Sequence, residues 1–331
     1  MEKILNWGLL STAKINGALI KPLRASKRTR LLAAASRSIS SAEAYAREWD
    51  IPRAHGSYEA LLADPEIDVV YNSLPNHLHA EWTIKALRAG KHVLCEKPFA
   101  LSLNEVDAMI AASQETGKVL TEAFMYRHHP QTFKVKELVD SGALGKLQLI
   151  KGAFTFTLTR AGNYRNYKEM GGGSLWDVGC YPISYARMLV GEEPAEVSGW
   201  QVTGAEGSDD SFFGQLRFGN GVHAQFDCGF KSPFRSYMEI ICSEAILNIP
   251  TPFKPGVKSE ITLTRGGKVE TLKIKGQELY LGEVEDMCDA VLLGKPPRIS
   301  LADSRGNIAA ILGLFESAQH GKNMPLSAIF V

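Results

Sequence analysis

The stretch His92–Val106 reads HVLCEKPFALSLNEV, and its grammar decides the fold. Val93 to Cys95 make a short apolar strand that runs straight into Glu96, Lys97 and Pro98. A helix start follows at Ser102, where Ser102 and Glu105 have capping-box spacing. Just upstream, HAEWTIKALRAG has a helical pattern that ends at Gly90. Working outward, further strand-like runs are ILNWGLL, TRLLAAAS, DVVYNSL and VLTEA, with helical patterns between them. Short apolar strands alternating with helices imply a doubly wound parallel sheet covered on both faces.

Beyond residue 145 the pattern changes. LQLIKGAFTFTLT, VSGWQVTG, SFFGQLRF, VHAQFDCGF, SYMEIIC, ITLTR and VETLKIK read as consecutive strands. Gly219-Asn220-Gly221 and Gly266-Gly267 are hairpin signals. We therefore expect an α/β nucleotide-type domain over 1–122 and an α+β domain with an open antiparallel sheet over 123–331. Helical stretches return near 280–293 and 302–319.

The 331 residues, 45% hydrophobic and 22% charged, suit a globular protein of about two domains. A net charge of +1 offers no global field for nucleic acid or an anionic membrane. Lys27, Arg28 and Arg30 form one basic cluster, read as a solvated loop. Five scattered cysteines without a CxxC pair read as free thiols in a reducing compartment, with no metal site. The absence of a signal-peptide layout or a long apolar run leads us to expect a cytoplasmic protein.

Three turns carry chemistry. After the first strand, the register of a G-x-G-x-x-G turn gives Ser11-Thr12-Ala13-Lys14-Ile15-Asn16, with none of the glycines that admit a pyrophosphate. A helix N-terminus there still offers N–H groups to phosphate, and Ser11 and Thr12 add hydroxyls. The second strand ends in Ser36, Arg37 and Ser38, where an NAD site would carry an acid for the ribose 2′-OH. An arginine between hydroxyls instead suits a 2′-phosphate, so we expect NADP(H) in preference to NAD(H). The third turn, Leu74-Pro75-Asn76, lies at a carboxyl edge where ligands bind in such sheets. His77 and His79 follow, without a third ligand at metal spacing.

The order and spacing of the degenerate first turn, SR after strand two, LPNHLH, EKP, YRHHP and GGGSLWDVGCYPI are specific. Over essentially its full length the chain resembles the glucose–fructose oxidoreductase / inositol dehydrogenase (Gfo/Idh/MocA) family. Its nearest flavour is the NADP-dependent subgroup of dihydrodiol and D-xylose dehydrogenases. The resemblance implies a Rossmann domain followed by an open sheet domain, and a homodimer or homotetramer paired through that sheet. It implies that Lys97 reaches the nicotinamide ribose and the substrate oxygen, and that Glu96 orients the neighbourhood or contacts the cofactor. Pro98 restricts the residue before it and so holds Lys97 extended.

If the segment from Leu175 is helical, Asp177 and Tyr181 stand four apart on one face. An acid and a phenol together move a proton to or from a substrate hydroxyl. The expected reaction is reversible hydride transfer between nicotinamide C4 and a carbinol carbon of a sugar or cyclic diol. Tyr181, tuned by Lys97, or Lys97 itself carries the proton, and Asp177 binds the hydroxyl or orients the pair. The resemblance puts Arg165 near the cofactor or the substrate. Tyr126, Arg127 and His128 stand where the chain leaves the nucleotide domain, beside the cleft, and Tyr126, Arg127 and Trp176 are taken as substrate candidates. His79, which also suits a cap or packing residue at the following helix, and Tyr280 are taken as cofactor candidates. Trp176 and Tyr280 also suit walls of the nicotinamide pocket, as aromatic rings stack on carbohydrate. Other readings are a keto- or anhydro-sugar reductase, a non-catalytic NADP-binding regulator and, by fold analogy alone, a tetrapyrrole reductase.

Overall fold

The computed structural model describes residues 3–160 and 162–329. The described residues of Met1–His128 and Tyr280–Ser304 form one compact unit, and those of His129–Leu279 and Arg305–Val331 a second.

The first unit alternates strand and helix. In order it holds β1 (Leu5–Leu9), α1 (Asn16–Ala25), β2 (Thr29–Ala35), α2 (Ile39–Glu48), β3 (Arg53–His55), α3 (Tyr58–Ala63) and β4 (Val69–Asn72). Then come α4 (His79–Arg88), β5 (His92–Glu96), α5 (Leu103–Thr116) and β6 (Leu120–Ala123). The six strands pair in the order β3-β2-β1-β4-β5-β6, all parallel. The chain reverses direction across the sheet between β1 and β4, the switch point where α/β sheets open a ligand crevice. Leu5, Trp7, Leu9, Val69, Val70, Val93 and Leu94 are fully buried, as strands covered on both faces require. Ser102 caps α5, its Oγ accepting from Glu105 N–H at 3.2 Å, while Glu105 Oε2 reaches one residue before the cap and accepts Leu101 N–H at 2.9 Å, a variant of the expected capping box.

The second unit opens with α6 (Pro130–Asp140) and β7 (Leu147–Thr155). A π-helical turn over Leu175–Gly179 runs on into α7 (Cys180–Val190). Seven strands follow: β8 (Pro194–Thr203), β9 (Asp209–Phe218), β10 (His223–Gly229), β11 (Arg235–Cys242), β12 (Ile246–Ile249), β13 (Lys258–Arg265) and β14 (Lys268–Lys275). After them lie α8 (Leu281–Leu293), α9 (Leu301–His320) and β15 (Met324–Pro325). α8 belongs to the first unit, where Arg28 ion-pairs with Glu285 and Asp289. The basic cluster is therefore not wholly a solvated loop.

The second sheet runs β14-β13-β12-β11-β7-β10-β9-β8-β15 and is antiparallel except where β10 lies parallel to β7. A parallel neighbour needs a long crossover. Here the loop after β7, the π turn, α7 and the β8–β9 pair supply it. Gly266 and Gly267 both have positive φ, 54° and 77°, which suits the tight β13–β14 hairpin. Phe212, Leu216, Phe218, Ala224, Phe226, Met238 and Ile240 line the buried face. On the other face Trp200 and Phe213 stand opposite each other in register and exposed, 58% and 47%.

Candidate active site

In the first unit the expected cofactor residues gather at the carboxyl edge of the parallel sheet. The first turn lacks glycine and is held by a buried polar network instead. Ser11 Oγ lies 2.7 Å from Ser73 Oγ, Ser73 Oγ donates to Asn16 Oδ1 at 2.6 Å, and Asn16 Nδ2 donates to Ser11 C=O at 2.7 Å. Ala13 N–H donates to Ser11 Oγ at 3.1 Å. The Ser11 hydroxyl is thus engaged in shaping the turn, while Thr12, Ala13 and Ile15 are half-buried and Lys14 is exposed. α1 begins without a side-chain cap and with no acid in its first turn. The first three N–H groups of α1 donate to Ala13, Lys14 and Ile15 C=O, so a dinucleotide phosphate would be held by the positive helix end and the Thr12–Ile15 backbone.

At the tip of β2, Ser36 N–H donates to His55 C=O at 3.1 Å, and Ser38 caps α2 by accepting from Ser41 N–H at 3.3 Å. Arg37 is exposed, close enough to Tyr58 for their charges to interact. No carboxylate occupies the 36–38 tip, which fits a phosphorylated ribose.

The two remaining turns are tied together. His79 is 1% exposed, with Nδ1 2.7 Å from Pro98 C=O and Nε2 2.8 Å from Leu74 C=O. It links the Leu74-Pro75-Asn76 turn to the Lys97-Pro98 turn. Burial pushes its pKa down to about 4, Lys97 and His77 assisting against the two carbonyls. The neutral ring has one N–H, which it gives to one carbonyl at a time. Leu74 N–H donates to Asn72 Oδ1 at 3.3 Å, and Asn76 is buried. Glu96, also buried, receives the Tyr71 hydroxyl, and its other oxygen takes Lys97 N–H at 3.2 Å. Burial followed by the charge of Glu96 raises the Tyr71 pKa well above its usual value, so the phenol stays a donor. The Lys97 side chain is half-buried, and its bond to Pro98 is cis.

Tyr280 is buried beside Tyr71, with which it interacts electrostatically. Tyr126 is fully buried, its ring edge-on to Phe124 at 5.8 Å. Arg127 pairs with Asp303 at 2.8 Å.

In the second unit, three glycines lead into the helix that carries Asp177 and Tyr181. Gly171 has φ +71° and ends the preceding 3₁₀ turn. A Cβ on Gly172 would stand 2.5 Å from Arg165 C=O and 2.7 Å from Tyr164 C=O. Gly173 N–H donates to Arg165 C=O at 2.8 Å, so this close approach fastens the Arg165 segment to the helix start. Arg165 Nε then donates to Asp177 Oδ2 at 2.7 Å, and its guanidinium lies 4.8 Å over the Tyr164 ring. Arg165 also interacts electrostatically with Tyr181, and its pKa is raised by Asp177 against the effect of burial. Tyr181 packs edge-on to Phe154 and tilted on Phe253, each ring 5.4 Å away. The segment is helical as expected, although its first turn is π rather than α. Trp176 is 7% exposed and packs on Phe315 at 5.6 Å.

Sequence reasoning missed Asn16, Ser73, Tyr71 and Asp209. For Asn16 a signal was available, because a polar residue stands where the third glycine of the turn would be. Nothing local marks the others, which act across long sequence separations.

A parallel six-stranded sheet whose first helix starts at the switch point marks the first unit as dinucleotide-binding, and within the second unit Asp177 and Tyr181 lie on one helical stretch with Arg165 bonded to Asp177. A profile described as the oxidoreductase family, NAD-binding Rossmann fold, matches residues 5–124, and one described as the GFO/IDH/MocA C-terminal domain matches 132–248. The chain belongs to the Gfo/Idh/MocA family. It is 36% identical over 323 residues to D-xylose 1-dehydrogenase (NADP(+)) 2 of Haloferax volcanii, covering 97% of this chain and 99% of that one. It is 32% identical to trans-1,2-dihydrobenzene-1,2-diol dehydrogenase of Danio rerio over 74% of each chain. A 3-ketoreductase from Actinomadura kijaniata, solved with NADP and TDP-benzene, superposes with a TM-score of 0.90 at 28% identity, covering 95% of this chain and 98% of that one. The chain is an NAD(P)-binding oxidoreductase. No described helix is long and apolar enough to cross a membrane.

Proposed function

We propose that the enzyme is an NADP(H)-dependent aldose 1-dehydrogenase or a close polyol-oxidising relative. The bound nicotinamide supplies the hydride acceptor and donor at C4. Ser36, Arg37 and Ser38 hold the 2′-phosphate, and the α1 N-terminus with Thr12 to Ile15 receives the pyrophosphate. The turns carrying Leu74, Pro75, Asn76, Glu96 and Lys97 face the ribose and nicotinamide, with His79 binding the turns to one another. Tyr181 moves the hydroxyl proton, Asp177 orients the hydroxyl, and Lys97 supplies positive charge or carries the proton itself.

The observation that carries this reading is Arg165 fixed on Asp177 at 2.7 Å while coupling to Tyr181. A guanidinium beside a phenol favours the phenolate that a base requires. The likeness to a 3-ketoreductase favours a second reading, reduction of a keto-sugar by the same groups in reverse. The exposed Trp200–Phe213 row favours a homodimer or homotetramer through the outer face of the second sheet.

The test is a 340 nm screen of aldoses, polyols and keto-sugars with NADP(H) and NAD(H) in parallel, on wild type, Lys97→Met and Tyr181→Phe. Each variant is expected to lose on the order of 100- to 10,000-fold in kcat while still binding NADPH. Wild-type turnover in both variants refutes the assignment.

A further inference from the structure

Asp209, the first residue of β9, is a carboxylate placed where nothing in the chemistry above requires one. It is 2% exposed. Its Oδ2 accepts Ser174 Oγ–H at 2.6 Å and Leu175 N–H at 2.8 Å, the first groups of the helix that carries Trp176, Asp177 and Tyr181. Its Oδ1 is buried without a hydrogen-bond partner. That oxygen lies against Gly173, where a Cβ would come within 2.1 Å of it, and Gly173 has φ +120°. The Gly173-Ser174 pair is thus shaped around this carboxylate. The other titratable group facing it is the Cys228 thiol on β10, which burial and the charge of Asp209 keep protonated. A negative charge at a helix N-terminus is favourable. Here it also claims Leu175 N–H at the point where the backbone widens into the π turn over Leu175–Gly179. π turns of this kind recur at functional sites.

We infer that Asp209 is a positioning residue: seated over Gly173 and holding Ser174 and Leu175, it sets the π turn that fixes where Asp177 and Tyr181 stand. The inference rests on the functional reading above for its kinetic consequence, but its structural consequence stands alone. Asp177 lies in the middle of the turn, and its pairing with Arg165 depends on the turn's width.

The test uses Asp209→Ala and Asp209→Asn in the full chain. In a crystal structure, Asp209→Ala is expected to narrow the turn toward α and part Asp177 from Arg165. Asp209→Asn keeps one oxygen acceptor and is expected to restore the turn. In turnover, Asp209→Ala is expected to lose about 100-fold in kcat with NADPH binding unchanged, the scale of a misplacement near the reacting atoms. Added to Asp177→Asn, it is expected to cost almost nothing further, because the two act through one group. A residue that merely stabilises the fold would lower Tm, leave kcat per folded molecule intact and add its effect to that of Asp177→Asn. That outcome overturns the inference, as does an Asp209→Ala structure with the π turn and the Arg165 pair intact. Should Asp209→Ala fail to fold, Asp209→Asn decides: a collapsed turn with the amide oxygen still bonded to Leu175 N–H overturns it too. Lys97→Met separates the two levels. Normal turnover in both Lys97→Met and Tyr181→Phe with a disturbed turn in Asp209→Ala sinks the functional reading alone. A slow Lys97→Met beside an undisturbed Asp209→Ala sinks only this inference.

Discussion

Two helix entries in this chain solve one problem in opposite ways. The turn before α1 has no glycine at the three positions of a G-x-G-x-x-G register and is held by Ser11, Ser73 and Asn16, with no acid in the helix's first turn. The entry before the π turn keeps Gly171, Gly172 and Gly173 and buries Asp209 against the helix start. Each suits its proposed task. A helix that is to receive phosphates gains from an N-terminus without its own anion, whereas a helix that must hold an acid and a phenol in place gains from a buried carboxyl fixed on its first groups. Glycine is therefore not the mark of the ligand-binding turn here. It is the mark of close backbone approach.

The largest way to break the comparison is Gly172→Ala. The added methyl meets backbone carbonyls of Tyr164 and Arg165, which unlike a side chain cannot swing aside. Overpacking costs typically about 1–3 kcal/mol, and here it also levers Arg165 away from Asp177. We expect a fall in Tm with turnover nearly abolished, read by calorimetry and the 340 nm assay. The matching change in the other turn, Ala13→Gly, restores a glycine and is expected to shift stability by only about 1 kcal/mol. Similar losses from the two substitutions would erase the distinction.

Asn16→Ala attacks the glycine-free turn where it is fastened. It leaves the buried Ser11 carbonyl without Asn16 Nδ2 and the Ser73 hydroxyl with Ser11 Oγ alone, and a buried group left unpaired costs about 1–3 kcal/mol. We expect a lower urea midpoint and at least a tenfold weaker NADPH affinity by fluorescence titration, on the ~1.4 kcal/mol-per-decade scale. Asn16→Ser, which keeps a short polar group, should recover part of both. Unchanged NADPH affinity would mean that the network serves stability alone.

What could be read in advance follows the same division. Local signals were legible: the Ser102–Glu105 box, the paired glycines at 266 and 267, and the strand that ends in Glu96-Lys97-Pro98. Contacts made at a distance were not. Asp209 meets Ser174 across 35 positions, and Ser73 meets Asn16 across 57. β3 and β12, of three and four residues, are too short to show a period. The parallel β7–β10 pair depends on the path of a long crossover, which alternation of side chains cannot reveal. Lys97 was singled out through the family resemblance that Glu96-Lys97-Pro98 helps to carry, whereas the clamp by His79 on Pro98 and Leu74 needed coordinates.

An effect spread over several pH units separates the two units by sign. Burial raises the Asp209 pKa from 3.8 to about 6, so the folded chain holds that proton more tightly than the unfolded chain. Its contribution to stability is full below the lower value and declines as pH rises through the upper one, by up to about 3 kcal/mol at ~1.4 kcal/mol per unit. His92 in the first unit runs the other way. Burial and then Lys118 lower its pKa from 6.5 to about 4, and its Nδ1 accepts Val119 N–H at 2.9 Å, which only an unprotonated nitrogen can do. Its contribution is present above pH 6.5 and lost as pH falls through 4. In urea unfolding between those limits, Asp209→Asn should gain on wild type as pH rises, because it no longer bears a buried charge. His92→Asn should gain on wild type as pH falls, and by less, since His92 is only partly buried. Two difference curves of the same slope would show that the buried acid does not titrate where its surroundings place it.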